Sequence, residues 1–121
     1  MRHTFAYCVP ALLLALCSTL AFASNWATMH EQGPISFFKE QDLALFERKV
    51  QEALDSTPDG ATRSWSNEET GASGTLTPSA SHERDGTKCR RLEIFNSAGG
   101  RQGRSVFNFC RQADGSWKVA Q

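Results

Sequence analysis

The chain is poor in the side chains that do chemistry. It has three histidines, four cysteines and one tyrosine, and thirteen basic residues balance thirteen acids over 121 positions. Each shortage removes a class of function. Balanced charge, with no basic stretch interleaved with aromatics, argues against nucleic acid as a partner. No histidine stands at ligand spacing from a cysteine, so no zinc site is expected. "GASG" and "AGGRQG" are glycine-rich, but neither joins a strand to a helix N-terminus as a phosphate-binding loop does, and they suit turns or bulges. Ser81-His82-Glu83 contains triad-like residue types, yet neighbours along a chain do not point at one another as a triad must. Glu68-Glu69 lies in turn context, without the opposed environments an acid–base pair needs. The expectation is a protein that is not an enzyme, with no catalytic, cofactor or metal residues.

Long apolar runs are also missing, with one exception at the start. A short basic region, Met1-Arg2-His3, precedes "VPALLLALCSTLA" at Val9–Ala21, and "AFA" at Ala21–Ala23 puts small residues at the positions a signal peptidase reads. This predicts a signal peptide over 1–23, cleaved between Ala23 and Ser24. The run is short for a spanning helix, which needs about 20 apolar residues. Leu16 before Cys17 and Tyr7 before Cys8 do not fit a lipidation site, so a soluble exported product without a transmembrane segment is expected, in the periplasm or associated with the outer membrane.

Export changes the reading of the cysteines. Cys8 and Cys17 leave with the signal, and Cys89 and Cys110 remain as an even pair in an oxidising compartment, which reads as one disulfide. Charge is unevenly placed in what is left. Three basic and seven acidic residues lie between Ser24 and Gly60, against nine basic and six acidic from Ala61 to Gln121.

Residues 24–41 show no clean period, Gly33-Pro34 breaks any helix, and the region reads as poorly ordered until Phe37 or Phe38 pins it. The domain proper is placed at 42–121. Asp42 reads as a helix N-cap, followed by an apolar stripe at Leu43, Phe46, Val50 and Leu54, and Pro58-Asp59-Gly60 stops the helix. Five short strands follow, in "ATRSWSN", "GASGTLTPS", "TKCRRLEIFNS", "RQGRSVFNFCRQ" and "SWKVA", separated by glycine-bearing turns. Pro78 suits a strand end or an edge. The fold expected is α+β: one N-terminal amphipathic helix on a roughly five-stranded antiparallel meander, with one disulfide. Trp65 and Trp117 are expected in the core.

The pairing register follows from Gly99-Gly100. If these two form the hairpin turn, Cys89 and Cys110 each lie ten positions out from it and face one another across the ladder. Alternation then sends Leu92, Ile94, Phe107 and Phe109 toward the helix, and Cys89, Arg91, Glu93, Val106, Asn108 and Cys110 to the other face. Arg90 and Arg111 flank the core side at its rim, their stems over apolar surface. The bridge closes a loop of about twenty residues, worth roughly 3 kcal/mol in the chain-entropy account.

"DLALFERKVQEALDSTPDGATRSWSNEETGASGTLTPS", "DGTKCRRLEIFNSAGG" and "FCRQADGSWKVA", in that order, resemble the C-terminal domain of the bacterial 17 kDa outer-membrane surface antigens. The resemblance covers about Asp42 to Ala120. The matching positions include Trp65, Gly71, Gly74, Cys89, Arg90, Cys110, Arg111, Asp114, Gly115 and Trp117, all of which read as structural. It implies a cell-envelope protein and no catalytic residues. Family members usually carry a lipidated cysteine and a glycine-zipper segment ahead of this domain, and the present chain departs from them in both.

The expectation for function is therefore an exported structural or binding module. Basic residues crowd the central hairpin, and Arg90, Arg91, Arg104 and Arg111 form a candidate patch for anionic material such as lipopolysaccharide phosphates or acidic envelope glycans. An envelope protein is the other partner class. The rival reading is a periplasmic inhibitor of a hydrolase such as lysozyme, inserting the loop at Asn67–Gly71 or at Ala98–Gln102.

Overall fold

The computed structural model describes residues 33–120, so the signal peptide, its cleavage point at Ala23–Ser24 and the stretch up to residue 32 lie outside the described residues. A 3-10 turn, Pro34–Phe37, leads into helix α1, Glu40–Ser56. Strands β1 (Arg63–Asn67), β2 (Ala72–Arg84), β3 (Thr87–Ala98), β4 (Arg101–Arg111) and β5 (Trp117–Val119) then form one antiparallel sheet in chain order. This is the α+β meander read from the sequence. No helix among the described residues is long and apolar enough to cross a membrane.

The stripe on α1 buries Phe46, Val50, Ala53 and Leu54, with Leu43 half-covered. Opposite it the sheet contributes Trp65, Leu76, Leu92, Ile94, Phe109 and Trp117. Both tryptophans are thus core residues. Phe38 closes the N-terminal end, its ring 5.7 Å from Phe46 and 5.4 Å from Trp65, both edge-on. Phe37 lies over the Gly99 turn and beneath Arg101.

The helix does not begin at Asp42. Lys39 is the N-cap, and Asp42 is the third helical residue, accepting from the Lys39 backbone N–H at 2.9 Å. An acid at that position satisfies an open N–H of the first turn as well as a cap does. Order thus begins well before the boundary placed at Asp42. The Asp42 carboxylate is fully buried and also accepts from Thr70 Oγ1 at 2.6 Å and Asn67 Nδ2 at 2.8 Å, tying the β1–β2 turn to the helix.

Two turns carry the sheet geometry. Asp85-Gly86 and Gly99-Gly100 both hold two consecutive residues at positive φ, the conformation whose twist matches a two-residue hairpin. Gly99-Gly100 sets Ala98 opposite Arg101 and, at the far end, Cys89 opposite Cys110, as the sequence register requires. β2 runs six residues past Pro78. Pairing with β1 ends at Leu76, so from there β2 is an edge where a missing N–H costs nothing, and the Pro78 carbonyl accepts from Gly60 instead.

Candidate functional site

The bridge lies in the row His82–Cys89–Cys110–Lys118, which crosses four strands on the face away from α1. Cys89 and Cys110 are bonded, with Cα atoms 4.1 Å apart. The disulfide is therefore where the spacing placed it, joining neighbouring strands between two turns.

One residue on, Arg90 faces the helix. Its side chain is buried, and every nitrogen of the guanidinium donates inward. Nη1 donates to the carbonyls of Leu54 at 2.8 Å and Ala53 at 3.4 Å. Nη2 donates to Thr57 O at 2.5 Å and to Asp59 Oδ1 at 2.8 Å. Nε donates to Ser81 Oγ at 2.8 Å. A cation on the last carbonyls of a helix satisfies acceptors that have no intrahelical partner and opposes the negative end of the dipole.

A β-bulge makes this possible. Ser79 pairs with Arg91 and His82 with Cys89, so Ala80 and Ser81 both stand across from Arg90. Ala80 takes φ 48°, a strained value for alanine, and Ser81 is re-aimed toward Asp59, donating from N at 3.1 Å and from Oγ at 2.7 Å. The hydrogen bond from Arg90, with those from Ser81, holds the Asp59 carboxyl down to about 2 from its ordinary 3.8. Neither Asp59 nor Ser81 was singled out in the sequence for this role. "PDG" reads only as a helix stop, and nothing local marks a bulge.

The four arginines grouped as a candidate anion patch do not come together. Arg90 and Arg111 lie on the helix side of the sheet, Arg91 and Arg104 on the opposite side, and the donors of Arg90 are already taken. The physical reason is period 2: adjacent positions on one strand cannot share a face. The two candidate inhibitor loops are fastened at their bases and exposed at Glu68, Glu69 and Gly71 in one and at Gly99–Gln102 in the other. Asn67–Gly71 is anchored to Asp42 through Asn67 and Thr70, and Phe37 packs on one side of Gly99 in the other hairpin.

Two surfaces remain as candidate sites. The first is the sheet face that α1 leaves uncovered. Row Ser64–Thr75–Phe95–Arg104 and row Ser66–Ser73–Ser97–Gln102 run side by side across four strands. Phe95 and Val106 are 38% and 36% exposed there, surrounded by hydroxyls and amides. Arg84, Arg91, Arg104 and Lys118 share this face with Glu93. Arg104 Nη2 meets Glu93 at 2.8 Å, and that hydrogen bond keeps the Glu93 carboxyl below and the Arg104 guanidinium above their ordinary pKa values. The second is a cleft of about 630 Å³ at the bridge end, between the last turn of α1, Lys88, Arg111 and Trp117.

A family model described as 17 kDa outer membrane surface antigen matches residues 52–118. The 17 kDa surface antigens of Rickettsia bellii and Rickettsia prowazekii are each 38% identical over 81 residues, 66% of this chain and 51% of theirs. That of Rickettsia rickettsii is 37% identical over the same length. The chain thus spans about half the length of the curated relatives it matches. No solved structure matches. With the match running from within α1 to β5, across the bridge and both Asp-Gly turns beside it, the chain belongs to the 17 kDa outer membrane surface antigen family.

Proposed function

We propose that the protein is an exported, non-catalytic module of the bacterial envelope that holds anionic glycan on the uncovered face of its sheet. Membership of a surface-antigen family supports the envelope setting. The leader-like first 23 residues and the disulfide fit export to an oxidising compartment. The observation that carries the reading is the face itself. It bears Arg104 directly across from an exposed Phe95 set among serines and threonines, Glu93 and Arg91 two and four residues along β3, and Arg84 and Lys118 toward the bridge end. Guanidinium groups pair with phosphate or carboxylate in bidentate geometry, the hydroxyls suit sugar oxygens, and the aromatic ring offers an apolar floor.

Oxidised Ser24–Gln121 is titrated with lipopolysaccharide, with the same material dephosphorylated, and with a polyuronate. Binding should weaken as salt rises and should fall at least about tenfold in the Arg91→Ala/Arg104→Ala double variant. Loss on dephosphorylation assigns phosphate as the anion, and retained polyuronate binding assigns carboxylate. Absence of binding to all three, or equal binding by the folded double variant, overturns the reading.

A further inference from the structure

The bridge-end cleft opens beside the last turn of α1, meets the uncovered face only at His82 and Cys89, and has a different chemistry. Its volume, about 630 Å³, lies within the range of small-molecule sites, roughly 300–1,000 Å³. Leu54, Trp117 and Cys89 of the bridge line its apolar part. Trp117 is rigidly held. Its indole Nε1 donates to Asp55 Oδ1 at 2.8 Å, its backbone N–H donates to Gln51 Oε1 at 2.8 Å, and Gln51 Nε2 donates back to its carbonyl at 3.0 Å.

The rim carries charge that the fold does not use. Lys88 and Arg111 are one step beyond the bridged pair on β3 and β4, hence beside one another, and neither side chain has a hydrogen-bond or ion-pair partner among the described residues. Glu83, which pairs with Lys88 on the next strand, is exposed and equally without a side-chain partner there. Neither nearer acid makes an ion pair with the two cations: Asp55 accepts from the Trp117 indole, and Asp59 is paired with Arg90 and Ser81. Two free cations and one free carboxylate around an aromatic floor suit a ligand carrying both signs of charge, and suit a polyanion poorly.

We propose that this cleft receives the free carboxyl end of a short peptide. The carboxylate lies between Lys88 and Arg111, a peptide or terminal N–H faces Glu83, and the terminal side chain rests on Trp117. The proposal does not depend on glycan binding at the other face. It is tested by titrating oxidised Ser24–Gln121 with tetra-alanine as the free acid and as the C-terminal amide, following the Trp117 indole N–H by NMR. The free acid should shift that resonance saturably, with a dissociation constant in the range of about 1 mM or tighter, and the amide should not. Arg111→Gln and, separately, Lys88→Gln should each weaken the acid at least about fivefold with the remaining resonances in place. Equal binding of acid and amide overturns the proposal, as does no shift at about 10 mM peptide. Inorganic phosphate binding as tightly as the peptide would also overturn it, since the cleft would then be a general anion site. The acid-against-amide comparison is made on the unaltered protein, so it decides even where a variant fails to fold.

Discussion

Arg90→Met removes the guanidinium and keeps most of the apolar stem. Five hydrogen bonds disappear. Their loss is not shared evenly. The Ala53 carbonyl still accepts from Thr57 N at 3.1 Å, and Asp59 is 44% exposed, so water can take over there. The Leu54 and Thr57 carbonyls bear the change, at about 1–3 kcal/mol for each buried acceptor left without a donor. Adding the lost counter-charge at the helix end, about 0.3–1 kcal/mol, gives about 2–7 kcal/mol, and the cost expected for removing one partner of a buried charged network lies mid-range, at roughly 3–5 kcal/mol. A domain of this size holds about 5–15 kcal/mol, so the variant should be folded but visibly weakened. Urea denaturation of the oxidised protein measures it, with a lower midpoint and an unchanged slope. Arg91→Met is the control one position away. Its side chain is exposed on the other face, and the expected change is about 0.5 kcal/mol or less. If the two variants fall within about 1 kcal/mol of each other, Arg90 does not hold the helix end, and the account of the bulge fails with it.

The acid side of the stability profile should be set partly by Asp59. Its folded pKa is depressed to about 2, so its contribution is complete above the unfolded value of 3.8 and is lost as pH falls through about 2. Asp59→Asn should flatten the stability curve between those limits in urea midpoints taken from pH 5 downward. Burial pushes the Asp42 carboxyl up, but bonds from Thr70, Lys39 and Asn67 outweigh it and leave the group below its ordinary value. Asp42→Asn should therefore weaken the protein more at pH 7 than at pH 2, read in the same titration. Gly74→Ala would drive a methyl into Asn96, the Phe95 carbonyl and the Trp65 indole, breaking the buried Trp65–Asn96 bond of 3.2 Å. A cost of about 2–4 kcal/mol is expected from overpacking plus the unmade bond, with loss of the Trp65 near-UV signal, and an unchanged melting curve refutes it. Cys89→Ala/Cys110→Ala should lose roughly 3 kcal/mol with the sheet intact by NMR, and a midpoint equal to that of the oxidised protein would remove the bridge from the stability account.

What was legible in the chain was what repeats along it. The α1 stripe shows through Phe46, Val50 and Leu54 because helical period survives any tertiary context. The β3–β4 register, and with it the bridge, followed from a two-residue Gly-Gly turn and equal distances on either side. The start of α1 was misplaced by three residues because an aspartate at the N-cap and one at the third position give the same local signal. Read from sequence, β2 stops at Ser79, one residue past Pro78, because a proline reads as a strand end unless one knows that the neighbouring strand has already ended and left an edge. The Arg90 site was hidden altogether. Its acceptors come from residues 31 to 37 positions away and from a bulge, and no period or spacing announces either. Sequence alone placed Arg90 correctly at the core-side rim, but it could not show that the rim was already closed.

That closure bears on how the rest of the molecule is free to work. At one end of the sheet the bridge, the Arg90 clamp and the Gln51–Trp117 bracket fasten β2, β3, β4, β5 and the end of α1 to one another. At the other end, Asp42 fastens the start of α1 to the β1–β2 turn, and Phe38 seals the gap. The helix is thus pinned at both its ends to the same face of the sheet. Leaving the sheet as a hinged flap would mean breaking one of these two sets of contacts. The open face is then held as a rigid, twisted plane, and its rows of hydroxyl, amide and guanidinium groups keep fixed spacings. A binding surface of that kind gains by losing little conformational entropy on contact. The same rigidity predicts that reducing the bridge should loosen the Trp117 end while leaving the Asp42 end protected. Amide exchange before and after reduction would then show faster opening at Lys88–Arg90 and Phe109–Arg111, with Trp65 and Ala72–Leu76 unchanged. Uniform acceleration across all five strands would mean that the two ends are not independent fastenings, and the rigid-plane argument would fail.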